Sequence, residues 1–206
     1  MQFCNILTGK YKDKLQETGF SCHYDVHSDV CVSTKQLRID IQNRTIYVFS
    51  NKTDSETKSK QFIMPYPKKK LPVPRKFVHP LQVVQVTNTS LLRSCKSHHM
   101  VGAIVFSSGG FAGNSFHDFS DIIIPLLITS RHFWSQVEFL ITDFKPWWVR
   151  KYDCALKGLS RFGILNAAKD GGVRCFPGGV ICLKYHKILG VNTIDVPGGY
   201  KFYDFN

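Results

Sequence analysis

The chain has 206 residues and a formal net charge of +12, from 27 Lys+Arg against 15 Asp+Glu. Its length, with 43% apolar and 20% charged residues, matches a globular protein whose core needs no staples and excludes a disordered, collagen-like or coiled-coil chain. The longest apolar run, residues 122–128, is interrupted by Pro125 and falls well short of the ~20 residues of a membrane span, and the first residues lack the apolar segment of a signal peptide.

Residues 1–36 read as irregular and polar. Residues 37–50 alternate and carry β-branched residues, which predicts a hairpin. A polar loop follows over 51–61. Over 65–76 stand Pro65, Pro67, Pro72 and Pro74. Each fixes φ and disfavours helix in the residue before it, so an extended connector is expected. That connector holds the densest basic stretch, Lys68-Lys69-Lys70 and Arg75-Lys76. Two readings of it stay open: an anion-facing strip for phosphate or an acidic polymer, or a solvated loop. Residues 81–87 predict a further strand.

From residue 101 the pattern changes. Residues 101–106 are nearly all apolar, as in a buried parallel strand. A glycine turn over 107–113 leads into a helix from about 114 to 131. A strand over 137–142 precedes a helix opened by Pro146 and running through 159. Short strands are expected near 163–165, 174–176 and 180–185. Strands alternating with helices predict a parallel α/β sheet covered on both faces.

The basic excess sits mainly in residues 1–100, with 16 Lys+Arg against 7 Asp+Glu. It comes with no recognisable nucleic-acid module and no interleaved aromatics, so no nucleic-acid partner is expected. None of the seven cysteines forms a C-x-x-C pair, and His98-His99 have no third ligand at metal spacing, so no metal site is expected. Three cysteines within the first 31 residues fit a disulfide-tied segment in an oxidising compartment; seven free thiols is the alternative. Sequons at Asn43, Asn51 and Asn88 favour a lumenal or extracellular setting.

The chemistry concentrates in residues 106–121, between a buried strand and a helix, where open α/β sheets bind ligands. Gly109, Gly110 and Gly113 allow a tight turn and close backbone approach. Asn114 is placed to cap the helix. Asn114, His117 and Asp121 share one helical face. A carboxylate one turn from a histidine can orient the imidazole, and the pair can act as a general base on a hydroxyl; a purely structural hydrogen bond is the alternative. Ser108 stands where a dinucleotide fingerprint needs its first glycine. Asp143 lies more than 30 residues after Gly109 rather than the roughly 20 of a ribose-binding acid, which disfavours an oxidoreductase.

The stretch 103–131, AIVFSSGGFAGNSFHDFSDIIIPLLITSR, closely resembles plant glycosyltransferases of family 61. These are xylan arabinosyl- and xylosyltransferases, related to animal protein O-linked-mannose N-acetylglucosaminyltransferases. The resemblance continues through 137–143, through Trp147-Trp148-Val-Arg-Lys-Tyr152, and through Leu159-Ser-Arg-Phe, Cys175-Phe-Pro and Leu183-Lys-Tyr-His-Lys187. Upstream it includes Asp29-Val-Cys31, Leu37-Arg38 and Pro65-Tyr-Pro-Lys. Ser108 replaces the family's Thr, Phe111 its Tyr, and Gly102-Ala103 its Pro-Ala.

The resemblance implies a Rossmann-like parallel sheet, the N-terminal half of a GT-B type enzyme, with an irregular and β N-terminal extension. Residues 1–76 would be that extension and 77–206 the acceptor-side domain. A nucleotide-sugar domain would follow Gly199 to Phe205, and a membrane anchor would precede the chain in a full-length form. The implied reaction is inverting pentosyl transfer from a UDP-sugar, with no tightly bound cofactor, to a polysaccharide such as xylan in the Golgi lumen. His117 would be the base and Asp121 its orienting partner. Asn114, Gly109, Gly110, Gly113, Asp118, Lys184 and His186 would contact substrate. Apart from the resemblance, Trp147 and Trp148 open a helix, where an exposed Trp can stack on a sugar ring; core packing or helix docking is the alternative. Cys95 and Cys175 lie in family-like positions and could pair. The alternative is a catalytically inactive truncated piece or a carbohydrate-binding remnant.

Overall fold

The computed structural model describes residues 2–50, 61–88, 90, 92–169 and 171–186. The polar loop up to residue 60, the Asn51 sequon, Lys187 and the Gly199 to Phe205 region lie outside them. The chain opens with a 3-10 turn, Gln2–Asn5, and helix α1 (Lys10–Thr18). Strands β1 (Phe20–Tyr24), β2 (Asp29–Ser33), β3 (Leu37–Asp40), β4 (Thr45–Phe49) and β5 (Gln61–Ile63) follow, then helix α2 (Pro72–Phe77). Next come β6 (Leu81–Val86), β7 (Cys95–His98) and β8 (Gly102–Ser107). A composite helix joins α3 (Ser115–His117), a π-helical turn Asp118–Ile123, α4 (Ile124–Ser130) and a 3-10 turn Arg131–Phe133. The remaining elements are β9 (Val137–Thr142), α5 (Pro146–Lys151), α6 (Asp153–Leu159), β10 (Ile164–Asn166), β11 (Val173–Phe176) and β12 (Gly179–Ile181).

The strands form two mixed six-stranded sheets, ordered β1-β2-β12-β8-β9-β10 and β5-β6-β4-β3-β11-β7. All six residues of β8 are buried, as its continuous apolar run predicts. The two-residue alternation of the strand divides them between two cores. Ile104 and Phe106 join Phe139 and Ile141 under Leu15, Ile122, Leu126, Trp148 and Leu156 of the helices. Ala103 and Val105 join Leu140 against Leu37, Ile39, Ile46, Val48, Leu81 and Val83 of the second sheet. The layers are therefore helices, first sheet, second sheet.

This differs from the expected parallel sheet with helices on both faces. β8, β9, β10 and β12 are parallel, but β2 joins β12 antiparallel and carries β1 with it. The second sheet takes the face that a helix layer would cover. The stretch expected to be irregular builds α1 and the β1–β2 hairpin within residues 10–33. Ser, Cys and His at positions the fold buries or bridges obscure those strands in the sequence. The predicted 37–50 hairpin is present as β3 paired antiparallel with β4.

The proline connector is not extended throughout. Pro72 and Pro74 both fall in the first turn of the short α2, where a missing N–H costs nothing. The predicted 114–131 helix is interrupted by its π-helical turn, which buries both Asp118 and Asp121. The 146–159 helix is broken at Tyr152, whose ψ of 15° leaves the helical range. Cys22 pairs with Cys31 directly across β1–β2, and Cys95 pairs with Cys175 across β7 and β11. Cys4, Cys154 and Cys182 are free thiols. Among the described residues no helix is long and apolar enough to cross a membrane.

The path through the first sheet positions the site. From β8 the chain moves outward to β9 and β10, then returns to the other side of β8 as β12. The order reverses at β8, the kind of switch point at which open α/β sheets bind ligands.

Candidate active site

At the carboxyl end of β8, residues 107–113 turn sharply under a strap made by residues 65–79. The Ser107 N–H donates to the Pro65 carbonyl at 2.7 Å. A Cβ on Gly109 would lie 2.4 Å from the Phe77 carbonyl oxygen, and one on Gly110 would lie 2.4 Å from the Tyr66 ring. Only hydrogen fits at either position, so the two glycines let the strap close on the turn. The Gly109 N–H donates to Ser107 Oγ at 2.9 Å and the Gly113 N–H to Asp118 Oδ1 at 3.2 Å.

Asn114 caps the helix that follows. Its Oδ1 accepts from the N–H groups of Phe116, at 3.0 Å, and His117, at 3.4 Å, the geometry that satisfies orphan donors at a helix start. One turn on, His117 Nδ1 lies 2.9 Å from Asp121 Oδ2. Asp121 is fully buried, whereas the His117 side chain keeps 22% of its exposure. Two residues of the strap complete the cluster. Lys68 Nζ is 2.9 Å from Asp121 Oδ1, and Tyr66 donates its hydroxyl to Asp121 Oδ2 at 3.0 Å. Lys68 holds a left-handed backbone, φ 61°, a strained state for a lysine that the surrounding contacts must maintain. Phe111 stacks on the His117 ring with centroids 4.1 Å apart.

The proton on His117 follows from this geometry. Lys68 and Tyr66 hold Asp121 as an acceptor, so the 2.9 Å contact requires the hydrogen on His117 Nδ1. The Nε2 lone pair is then free to take a proton. Lys68 Nζ lies 3.3 Å from Nδ1 as well as 2.9 Å from Asp121 Oδ1, so its ammonium stands against both members of the pair. Sequence reasoning found His117, Asp121 and Asn114 but missed Tyr66 and Lys68, which arrive from about 50 residues upstream.

Burial first, and then the Asp121 charge, push the Tyr66 phenol well above its ordinary value of 10. The fold therefore favours the protonated phenol. Its contribution is complete below pH 10 and is lost as pH rises through the alkaline range above it. The thermal midpoint is expected to fall more steeply between about pH 9.5 and 11.5 in the wild type than in Tyr66→Phe. Parallel melts of the two proteins measure the difference.

The other expected site residues lie around this cluster with different partners. Asp118 faces inward, accepting from Trp148 Nε1 at 2.8 Å and the Tyr152 hydroxyl at 2.9 Å. Lys184 donates its Nζ to the Ile6 carbonyl at 3.1 Å, and its N–H goes to Thr129 Oγ1. His186 Nε2 meets the Ser120 carbonyl at 2.9 Å, which ties the segment after β12 to the helix of His117. Asn43, in the β3–β4 turn, and Asn88 are exposed.

Within the basic run, Lys68 pairs with Asp121 and Lys69 with Asp29. The Lys69–Asp29 pair lines an open cleft of about 460 Å³ together with Lys70, Arg75, Phe62 and Met64. Among the described residues, no group of three or more His, Cys, Asp or Glu is placed to hold a metal ion.

No protein-family model matches the chain. It is 33% identical over 96% of its length to a β-1,2-xylosyltransferase of rice (Oryza sativa subsp. japonica), of which it covers 36%. A second rice β-1,2-xylosyltransferase is 40% identical over 54% of the chain, which covers 24% of that protein. A xylan glycosyltransferase of Arabidopsis thaliana is 31% identical over 88% of the chain, which covers 37% of it. The chain spans between about a quarter and just over a third of the length of these curated relatives.

Proposed function

The chain is a relative of the plant xylan glycosyltransferases of family 61, and from that premise we propose that it forms the acceptor side of an inverting, UDP-sugar-dependent pentosyltransferase acting on a polysaccharide such as xylan. The reading includes a GT-B type arrangement, a nucleotide-sugar domain outside this stretch and work in the Golgi lumen. The observation that carries it is the His117–Asp121 pair, held by Tyr66 and Lys68 beside the glycine turn at the carboxyl edge of β8.

In the proposed step an acceptor hydroxyl oxygen attacks C1 of the donor sugar as the bond from C1 to the phosphate oxygen breaks. That electron pair leaves with UDP, and the hydroxyl proton passes to His117 Nε2. Asp121 keeps Nδ1 protonated and faces the imidazolium that forms. Asn114 fixes the helix start that carries His117. The test is transfer of labelled pentose from UDP-xylose or UDP-arabinose to a xylo-oligosaccharide by a full-length form that carries the proposed nucleotide-sugar domain. Transfer is expected in the wild type and lost in a folded His117→Ala variant. Wild-type turnover in that variant would remove His117 from the mechanism.

A further inference from the structure

Beside the glycine turn, the carboxyl ends of β8 and β9 carry a second prepared histidine. Asp143 directly follows β9 and adopts a left-handed backbone, φ 48°. Its Oδ2 accepts from Ser107 Oγ at 2.7 Å and from the His79 N–H at 3.3 Å. Its Oδ1 lies 2.5 Å from His79 Nδ1. The carboxylate is nearly buried, whereas the His79 side chain is 55% exposed. This bonding holds the ring through Nδ1 on a half-exposed side chain, so Nε2 is the ring nitrogen left for a ligand hydroxyl.

Two large aromatic rings stand on the same edge. Phe77, two residues before His79, is 53% exposed, and Trp147 is 46% exposed although the adjacent Trp148 is fully buried. Lys145 Nζ sits 5.8 Å from the Phe77 ring centroid and 5.9 Å from that of Trp147, linking them into one surface. A Cβ on Gly113 would touch Trp147 Cη2 at 3.5 Å, so this surface adjoins the turn that leads to His117. Exposed rings interleaved with a fixed imidazole and an ammonium suit a ligand with apolar C–H faces and hydroxyl edges. A pyranose chain has both.

We propose that Phe77, Trp147, Lys145 and His79 form a saccharide-binding subsite that takes a neutral pyranose chain, the two rings stacking on sugar faces and His79 Nε2 bonding a sugar hydroxyl. Asp143 is its positioning residue. The subsite deepens the acceptor-side reading above and rests on it.

The experiment is calorimetric titration of the 206-residue chain with linear β-1,4-linked xylohexaose, with folding of each variant checked by thermal melts. Wild-type binding is expected. The double variant Phe77→Ala, Trp147→Ala is expected to weaken it about tenfold or more, and His79→Ala several-fold. Equal binding by the folded double variant would overturn the subsite while leaving the acceptor-side reading intact. No binding by the wild type at millimolar xylohexaose would overturn both. Should the double variant fail to fold, Trp147→Ala alone supplies the comparison, because its ring is half exposed.

Discussion

In a full-length form carrying the proposed nucleotide-sugar domain, an Asp121→Asn variant is expected to lose roughly 10²- to 10⁴-fold in kcat/KM for the proposed pentosyl transfer, carried mainly by kcat. The carboxylate can only accept, so it fixes the hydrogen on His117 Nδ1 and the lone pair on Nε2. An amide at the same place can present its NH2 to Nδ1 instead. That orientation is favoured if the amide oxygen turns to Lys68, whose Nζ stands 2.9 Å from the carboxylate it would lose. The imidazole would then carry its proton on Nε2, the wrong tautomer for a base. The amide also removes the charge that faces the imidazolium formed during transfer. If His117 and Asp121 work as one unit, the double variant His117→Ala, Asp121→Asn is expected to cost no more than His117→Ala alone. Steady-state kinetics of the single and double variants check this. Multiplying losses would mean that Asp121 acts elsewhere, and an unchanged kcat would remove it from the chemistry.

What could be read in the sequence was what the chain encodes locally. Asn114, His117 and Asp121 are within two helical turns of one another, and helical periodicity alone puts them on one face. Even with a π-helical turn between them, His117 and Asp121 stay within hydrogen-bond reach. The buried strand β8 was legible because six consecutive apolar or small residues fit no half-exposed element. Tyr66 and Lys68 were not legible, since nothing in a Pro-Lys run shows that it will cross a glycine turn far along the chain. That crossing is written instead in Gly109 and Gly110, where the space a Cβ would need is taken by Phe77 and Tyr66. The second sheet was also hidden. Its strands β4 and β6 pair in parallel across a segment that local patterning cannot bridge. Trp147 and Trp148 show the same limit at single-residue scale. Adjacent in sequence and identical in type, one reaches Asp118 in the core and the other lies on the surface, a division made by helix phase against the sheet.

Asp118 is the residue for which placement in the fold and expected role diverge most, and its replacement should be felt in stability. Its side chain is fully buried. It accepts from Trp148 Nε1 at 2.8 Å, the Tyr152 hydroxyl at 2.9 Å and the Gly113 N–H at 3.2 Å, with Lys151 Nζ at 3.5 Å. These bonds fasten α5, the residue that separates it from α6, and the glycine turn to the helix of His117. Asp118→Ala would leave three donors facing a cavity. Each unpaired buried donor costs about 1–3 kcal/mol, and relaxation returns part of that. A loss of about 3–5 kcal/mol is expected, a large share of the ~5–15 kcal/mol that holds a domain folded. Denaturant unfolding should show a lower midpoint with an unchanged slope. Asp118→Asn keeps one acceptor and is expected to lose less, leaving a folded protein for kinetics. If Asp118 acts through packing, that variant will show an unchanged KM for the acceptor at a temperature where it remains folded. A raised KM with wild-type stability would instead make Asp118 a substrate contact, and the turn it anchors would have to open toward the acceptor for that contact to form.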